Sequence, residues 1–466
     1  MKPFMNEEFL LTTETGKKLF FDYAKDCPII DYHNHLPAKD IFERRQYENL
    51  TQVWLEADHY KWRCMRVCGV EETFVTGEGS DYDKFLQFAR IMPRLIGSPV
   101  YHWAHLELQR YFGIDTPLTE ETAPEIWEKT SALLQGEGFD AVSLLHKAKA
   151  KILCTTDDPA DDLAWHLKLK AEYEAGKMEF KTLPSFRPDR FLHIDQPAWS
   201  TALEQLGTRY DVKIRCWEDL KEALSKSLDF FCSVGCKVTD HGFIHFRYGV
   251  GDPQPIMMKA LAGDVLTEEE IAVYQGALLR FLASEYEERG LAMQLHLGPI
   301  RNNSPKVMQA FGADGGGDSI GEATNPFLLS DFLGDLEAMN HLPKTILYNL
   351  NPNDSAMMAT MAVNFAVDGA KVQYGAAWWL LDHLRGISEQ IDLLMETGML
   401  SGSVGMLTDS RSFTSFVRHE YYRRILCEKL GRLVEEGLYP CDLGALGAMV
   451  EDVCWKNAVN YFGFDC

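Results

Sequence analysis

The chain has 466 residues, 46% hydrophobic and 25% charged, which is the composition of an ordinary globular protein with enough apolar material for a large core. Its formal net charge of −23 repels nucleic-acid phosphates and anionic membrane surfaces, so neither is expected as a main partner. A small anionic substrate stays admissible wherever local arginines reverse that field.

From the N-terminus, MKPFMNEEFLLTTETGKKLF carries acidic residues and no apolar h-region, so it reads as neither a secretory signal nor a transit peptide. No stretch approaches the roughly 20 consecutive apolar residues of a membrane span, and a cytoplasmic setting is expected. The eleven cysteines are scattered and odd in number, as for reduced thiols. Cys64/Cys68 and Cys232/Cys236 are spaced four apart, but no Cys-x-x-Cys pair accompanies them, and zinc is not assigned there.

Eight short apolar or β-branched runs follow one another along the chain: PIIDYH (28–33), AKILCTTDD (150–158), FKTLPSFRP (180–188), CKVTDHG (236–242), LAMQLHLG (291–298), KTILYNLN (344–351), KVQYGAA (371–377) and SVGMLTDS (403–410). Amphipathic segments such as EEIAVYQGALLRFLASEYEERG separate most of them. Eight strands alternating with helices predict an α/β protein built as a (β/α)8 TIM barrel. An open dinucleotide-binding sheet is disfavoured because no Gly-x-Gly-x-x-Gly follows the first strand, and no nucleotide cofactor is expected.

The gap between the first and second runs, rich in Trp, Tyr, Arg and helix formers, is too long for a single crossover. It predicts a mostly helical insertion over residues 36–149 covering the barrel mouth, with 1–35 and 150–466 forming the barrel itself. A smaller excursion falls within 189–235.

Barrels of this kind place their chemistry where the strands end. There the sequence puts His33 and His35, Asp157 and Asp158, Arg187, Asp240 and His241, His296, Tyr348 and Asn349, then Asp409 and Arg411. Taken singly, each has an ordinary explanation. A histidine such as His296 on a buried strand is usually a satisfied core residue, Asp409 can cap a helix, and Asp157-Asp158-Pro159 suits a turn. Convergence at one rim argues instead for a site.

Alternation along an extended strand sends His33 and His35 to one face, where they can grip an ion together. With His296 and Asp409 they make a donor set suited to one divalent cation, zinc first, then manganese or iron. A second ion is not expected, because the sixth strand offers Tyr348 and Asn349 in place of imidazole, and Lys237 lies at the wrong end of the fourth strand with the wrong parity.

A histidine pair on strand one, a histidine on strand five and an aspartate on strand eight resemble the amidohydrolase superfamily. HNHL, DHYKWRCMRVCGV, TTDDPADDLAWH, LPSFRPDR, TDHG, MQLHLGPIRNNS, DSIGE, TILYNLNPND, QYGAAWW and TDSRSFTSFVRHEYYRRILC, in that order over essentially the whole chain, are similar to the uronate (glucuronate) isomerases. Phe186 in place of Trp and Ala376 in place of Ser are small departures.

The resemblance implies a barrel of amidohydrolase type that interconverts D-glucuronate with D-fructuronate and D-galacturonate with D-tagaturonate. It places the metal on His33, His35 and Asp409 with His296 close by. Asp409, Tyr60, His59 and Arg411 become candidate catalytic residues, and Arg187, Arg411, Arg301, Asp240, His241 and Trp378 candidate substrate contacts. It also implies a homo-oligomer. Arginine suits the substrate carboxylate because its fork matches that group in two places. Tyr60 can exchange protons with the substrate only if a cation brings its pKa down from about 10. A mononuclear metal-dependent hydrolase and a non-catalytic binding barrel are the competing readings.

Overall fold

The computed structural model describes residues 2–366 and 369–466. Parallel strands β1 (Ile29–Asp31), β2 (Ala150–Cys154) and β3 (Lys181–Leu183) form one ordered sheet. A second contains β4 (Val238–Phe243), β5 (Ala292–Leu297), β8 (Thr345–Asn349) and β9 (Val372–Tyr374). Between β5 and β8 lies a small antiparallel pair not foreseen from the sequence, β6 (Pro299–Ile300) with β7 (Ser319–Ile320).

Phe186 joins the two sheets, bridging to Asp157 on one side and to Thr239 on the other. With helices such as Ala164–Glu174, Trp217–Val234 and Glu268–Arg289 between the strands, this is a (β/α)8 barrel of amidohydrolase type.

The eighth position differs from expectation. Residues 403–410 form no regular strand. They are drawn to their neighbours by scattered contacts: Asp409 N–H donates to His33 O, His35 N–H to Ser410 O, and Val404 N–H to the Gln373 side chain. Gly405 (φ +73°) and Asp409 (φ +47°) both adopt left-handed backbone, which interrupts the pleat that a ladder requires. Side chains replace the missing ladder. Asp31 on β1 accepts from both Thr408 N–H and the Thr408 hydroxyl at 2.7 Å, while Tyr32 OH donates to Gly405 O at 2.9 Å.

From Ala38 to Lys147 the chain is mostly helical, including Asp81–Ile91, Pro99–Phe112 and Ala123–Leu134. These helices meet the C-terminal part of the barrel through polar contacts. Arg110 forks onto Glu420 at 2.7–2.8 Å, Glu107 accepts from Thr414, and Ser412 donates to Val53 O.

The barrel interior is filled in layers. His296 and Tyr348 are direct neighbours across β5 and β8, and their rings stack at 4.4 Å and 5°. Tyr348 in turn donates to Gln294 one layer below. Gly375, just past β9, makes room for that ring: a Cβ there would lie 2.2 Å from Tyr348 Cε1. Gly375→Ala is therefore expected to cost about 1–3 kcal/mol by overpacking, read as a lower midpoint in chemical unfolding. An unchanged midpoint would mean that Tyr348 yields freely.

Candidate active site

The strand ends converge on a cavity of about 360 Å³ lined by His33, His35, His59, Thr156, Arg187, Asp240, His296, Arg301, Asn302, Ala313, Asp314, Trp378, Trp379, Asp409 and Arg411. Its volume lies within the usual range for small-molecule pockets. Among the described residues, groups of donors close enough to share a cation occur only here.

At its base, one oxygen of Asp409 faces two imidazoles, with His33 Nε2 at 3.2 Å and His35 Nε2 at 3.0 Å. The convergence has a backbone cause. Although β1 ends at Asp31, the chain stays extended beyond it. Asn34 N–H turns to Cys154 O on one side and His35 N–H to Ser410 O on the other, so the two histidines emerge together. The second oxygen of Asp409 accepts from Trp378 Nε1 at 3.0 Å.

His296 lines the same cavity, its ring 4.8 Å from that of His33 and its Nε2 without a hydrogen-bond partner. Its Nδ1 lies 2.7 Å from Asp240 Oδ1, so it belongs to a second group with His33 and Asp240. Arg187 Nη1 sits 3.0 Å from the other Asp240 oxygen. That carboxylate is fully buried and already faces a guanidinium and an imidazole, so it does not call for a cation of its own. His33, His35 and Asp409 remain as the triad whose donor atoms fit a single divalent ion.

Electrostatics separates these groups. Burial works against ionising Asp409, yet the hydrogen bonds from His33 and His35 outweigh it and hold its carboxyl well below the ordinary range. Asp240 is likewise held far down, because Arg187, His33 and His296 overcome burial. Burial also opposes charging the histidines. For His33 the Asp240 and Asp409 carboxylates prevail and its pKa rises. For His35 burial prevails and its pKa falls to about 4. His296 is lowered for the same reason, against the pull of Asp240. A neutral His35 beside an ionised Asp409 is the state in which both can donate electron pairs to a metal.

The arginines differ in how far they are committed. Arg187 donates through Nε to Asp189 at 2.8 Å besides facing Asp240. Arg301 donates to Asp318 and lies 4.6 Å over the Trp379 ring. Among the described residues, Arg411 is held only by Asp314, at 3.0 Å, on the glycine-rich loop 312–318.

Two residues lie elsewhere than expected. His241 is on the opposite face of β4 from Asp240, its ring stacked with Phe243 at 6.3 Å and beside Tyr286 of an outer helix; strand alternation takes it out of the cavity. Tyr60 does not line the cavity. It stacks behind His59 at 4.9 Å and 15°, and burial, with Asp409 adding to it, pushes its pKa well above 10 despite Arg418 nearby. The lowering that proton exchange by Tyr60 would require does not occur, and Tyr60 stays a neutral phenol.

Sequence reasoning missed Thr156, Asn302, Asp314 and Trp379 as cavity residues. Asn302 and Asp314 lie in the excursion after β6, which no periodicity announces. Thr156, in the stretch following β2, was legible as a rim position.

A family model described as glucuronate isomerase matches residues 1–462. The chain belongs to the glucuronate isomerase family. The uronate isomerase of Caldicellulosiruptor bescii is 46% identical over 469 residues, covering 100% of both chains. That of Histophilus somni is 47% identical, covering 99% of this chain and 100% of the relative. Among solved structures, uronate isomerase from Thermotoga maritima superposes with a TM-score of 0.92 at 33% identity, covering 99% of this chain and 100% of that one. Glucuronate isomerase from Caulobacter crescentus, at 22% identity and a TM-score of 0.91 over 99% and 98% of the two chains, shares the fold.

For this family member, elemental analysis after dialysis against divalent ions should find a single bound ion per chain. His35→Ala and Asp409→Asn are expected to lose it, whereas His241→Phe keeps it. Retention by both ligand variants would remove the triad as the binding site.

Proposed function

We propose that this chain is a uronate isomerase that interconverts aldose and ketose hexuronates, D-glucuronate with D-fructuronate and D-galacturonate with D-tagaturonate, through an enediol intermediate. One observation carries the reading. Arg187, Arg301 and Arg411 line the same cavity as His33, His35 and Asp409, so a strongly acidic chain gathers three guanidiniums where an anionic sugar would bind.

The isomerisation removes a proton from C2, adds one at C1 and shifts the carbonyl between them. Asp409 is ionised and so open to the C2 proton, and Trp378 and two imidazoles fix where it stands. His59 forms part of the cavity wall, and Tyr60, a neutral phenol stacked behind it, supports that wall. Arg411, with its single partner on a loop, is the guanidinium most able to turn to substrate. Arg187, fixed by two carboxylates, neutralises the buried Asp240 and holds the cavity floor in place. Asp240 acts through Arg187 and His33 by holding them in place. A divalent cation on His33, His35 and Asp409, zinc in our reading, would polarise substrate oxygens and take up developing negative charge, worth several kcal/mol as an order of magnitude.

The helical segment 36–149 serves as a cover that supplies His59 and Tyr60. No helix among the described residues is long and apolar enough to cross a membrane. The cysteines are all free, which supports a reducing, cytoplasmic setting. Self-association rests on the family resemblance.

Incubation with D-glucuronate should yield a ketose, with deuterium at C2 slowing the proton-transfer step. D-glucose, which lacks the carboxylate, should turn over far more slowly. Asp409→Asn is expected to lower kcat by about 10²–10⁴ while substrate still binds. No ketose at any metal loading would remove the reading, and wild-type turnover by Asp409→Asn would remove the role given to Asp409.

A further inference from the structure

The excursion between β6 and β7, NNSPKVMQAFGADGGGDS (302–319), walls one side of the cavity through Asn302, Ala313 and Asp314, yet it owes little to packing. Its helix Pro305–Phe311 starts on a Ser304 cap and buries none of its residues. Four glycines follow within residues 312–317, with left-handed backbone at Gly312 (φ +76°) and Gly316 (φ +87°), so the tip can pivot without tearing apolar contacts. Segments held by so few buried contacts open most readily.

Polar contacts at its two ends hold it instead. At the base, Arg301 and the Asn302 N–H donate to Asp318 at 3.1 and 2.6 Å, beside the two-residue ladder of β6 and β7. At the tip, Arg66 on the cover helix His59–Val67 donates to Gly315 O and lies 4.9 Å from the Phe311 ring, while Asp314 accepts from Arg411 at 3.0 Å. Of the tip contacts, only the Arg411 pair joins two residues of the cavity wall. It uses one oxygen and one nitrogen, and the Asp314 side chain is 49% exposed. A one-point pair so exposed is weak, and ligand oxygens can displace it.

We propose that residues 302–318 are a gate over the cavity and that the Asp314–Arg411 pair is its latch, closed in the empty protein and released when ligand oxygens take the Arg411 fork. The inference rests on Arg411 turning to substrate, as given under the proposed function. Because only the unlatched population admits a ligand, the latch slows apparent association by the fraction of time it is shut. Once the ligand holds Arg411, Asp314 no longer bears on its departure.

Two measurements on the full chain at matched metal content test this. Backbone amide exchange over 303–317 in the empty protein reads the latch without any sugar: Asp314→Asn and Arg411→Met should each speed it about two- to fivefold, and the double variant no further. Stopped-flow binding of D-gluconate, a sugar acid with no aldehyde to isomerise, reads the release through Trp378 and Trp379 fluorescence. Association should be about two- to fivefold faster in Asp314→Asn than in wild type, with dissociation changed less than about twofold. In an Arg411→Met background, Asp314→Asn should leave association unchanged, because no latch is left to remove. An equal gain in that background would make Asp314 a source of long-range repulsion, and slower binding by Asp314→Asn would make it a ligand contact. Either result overturns the inference, as does unchanged exchange in either single variant or no gluconate binding to the wild type. Asp314→Ala and Arg411→Gln repeat both readouts if a first variant loses folded protein by circular dichroism. Failure of D-glucuronate to give a ketose would remove the isomerase reading without touching the exchange result, so the two fail separately.

Discussion

The site depends on how the segment carrying Asp409 is held against β1. That segment lacks a regular ladder, yet its carboxylate must meet two imidazoles within about 0.5 Å of a set position to act with them. Asp31 meets the requirement. Fully buried on β1, it takes two hydrogen bonds from Thr408, one from Asn34, and lies 3.4 Å from His419. Thr408 and Asn34 flank the functional residues Asp409, His33 and His35. One carboxylate thus ties both donor-bearing segments together, and barrel closure and site assembly become the same event.

Left-handed backbone at Asp409 and Trp379 belongs to this constraint. Neither is glycine, and such conformations cost of order 1–3 kcal/mol each. Asp tolerates the region better than Trp, since its short polar side chain can bond locally. Trp379 lines the cavity and carries Arg301 on its ring; Asp409 gains two imidazoles and the Trp378 indole. The surrounding contacts over-determine both conformations.

Charge is managed by pairing. Burying a carboxylate alone costs several kcal/mol, and removing one partner of a buried pair typically costs about 3–5 kcal/mol. Asp240 meets this with Arg187 and His296, Asp58 with Lys61, and Asp409 with His33 and His35. The gradient of commitment among the arginines follows. Arg187 is spent on neutralising the interior, while Arg411 at the mouth keeps most of its donors for a ligand.

Residue types and their order along the chain already determine that strands and helices alternate, that two histidines leave the first strand together, and that an acid stands near the last strand with arginines nearby, because periodicity and motif spacing are local properties. Local pattern could not distinguish Asp240 from His241, adjacent on one strand, since which face turns inward depends on the neighbouring strands. Nor could it see that His296 turns its Nδ1 to Asp240 while packing beside His33, or that burial raises the Tyr60 pKa when a nearby cation would lower it. Desolvation and ion pairing depend on everything that surrounds a group, and only the tertiary structure brings residues 31 and 408 together.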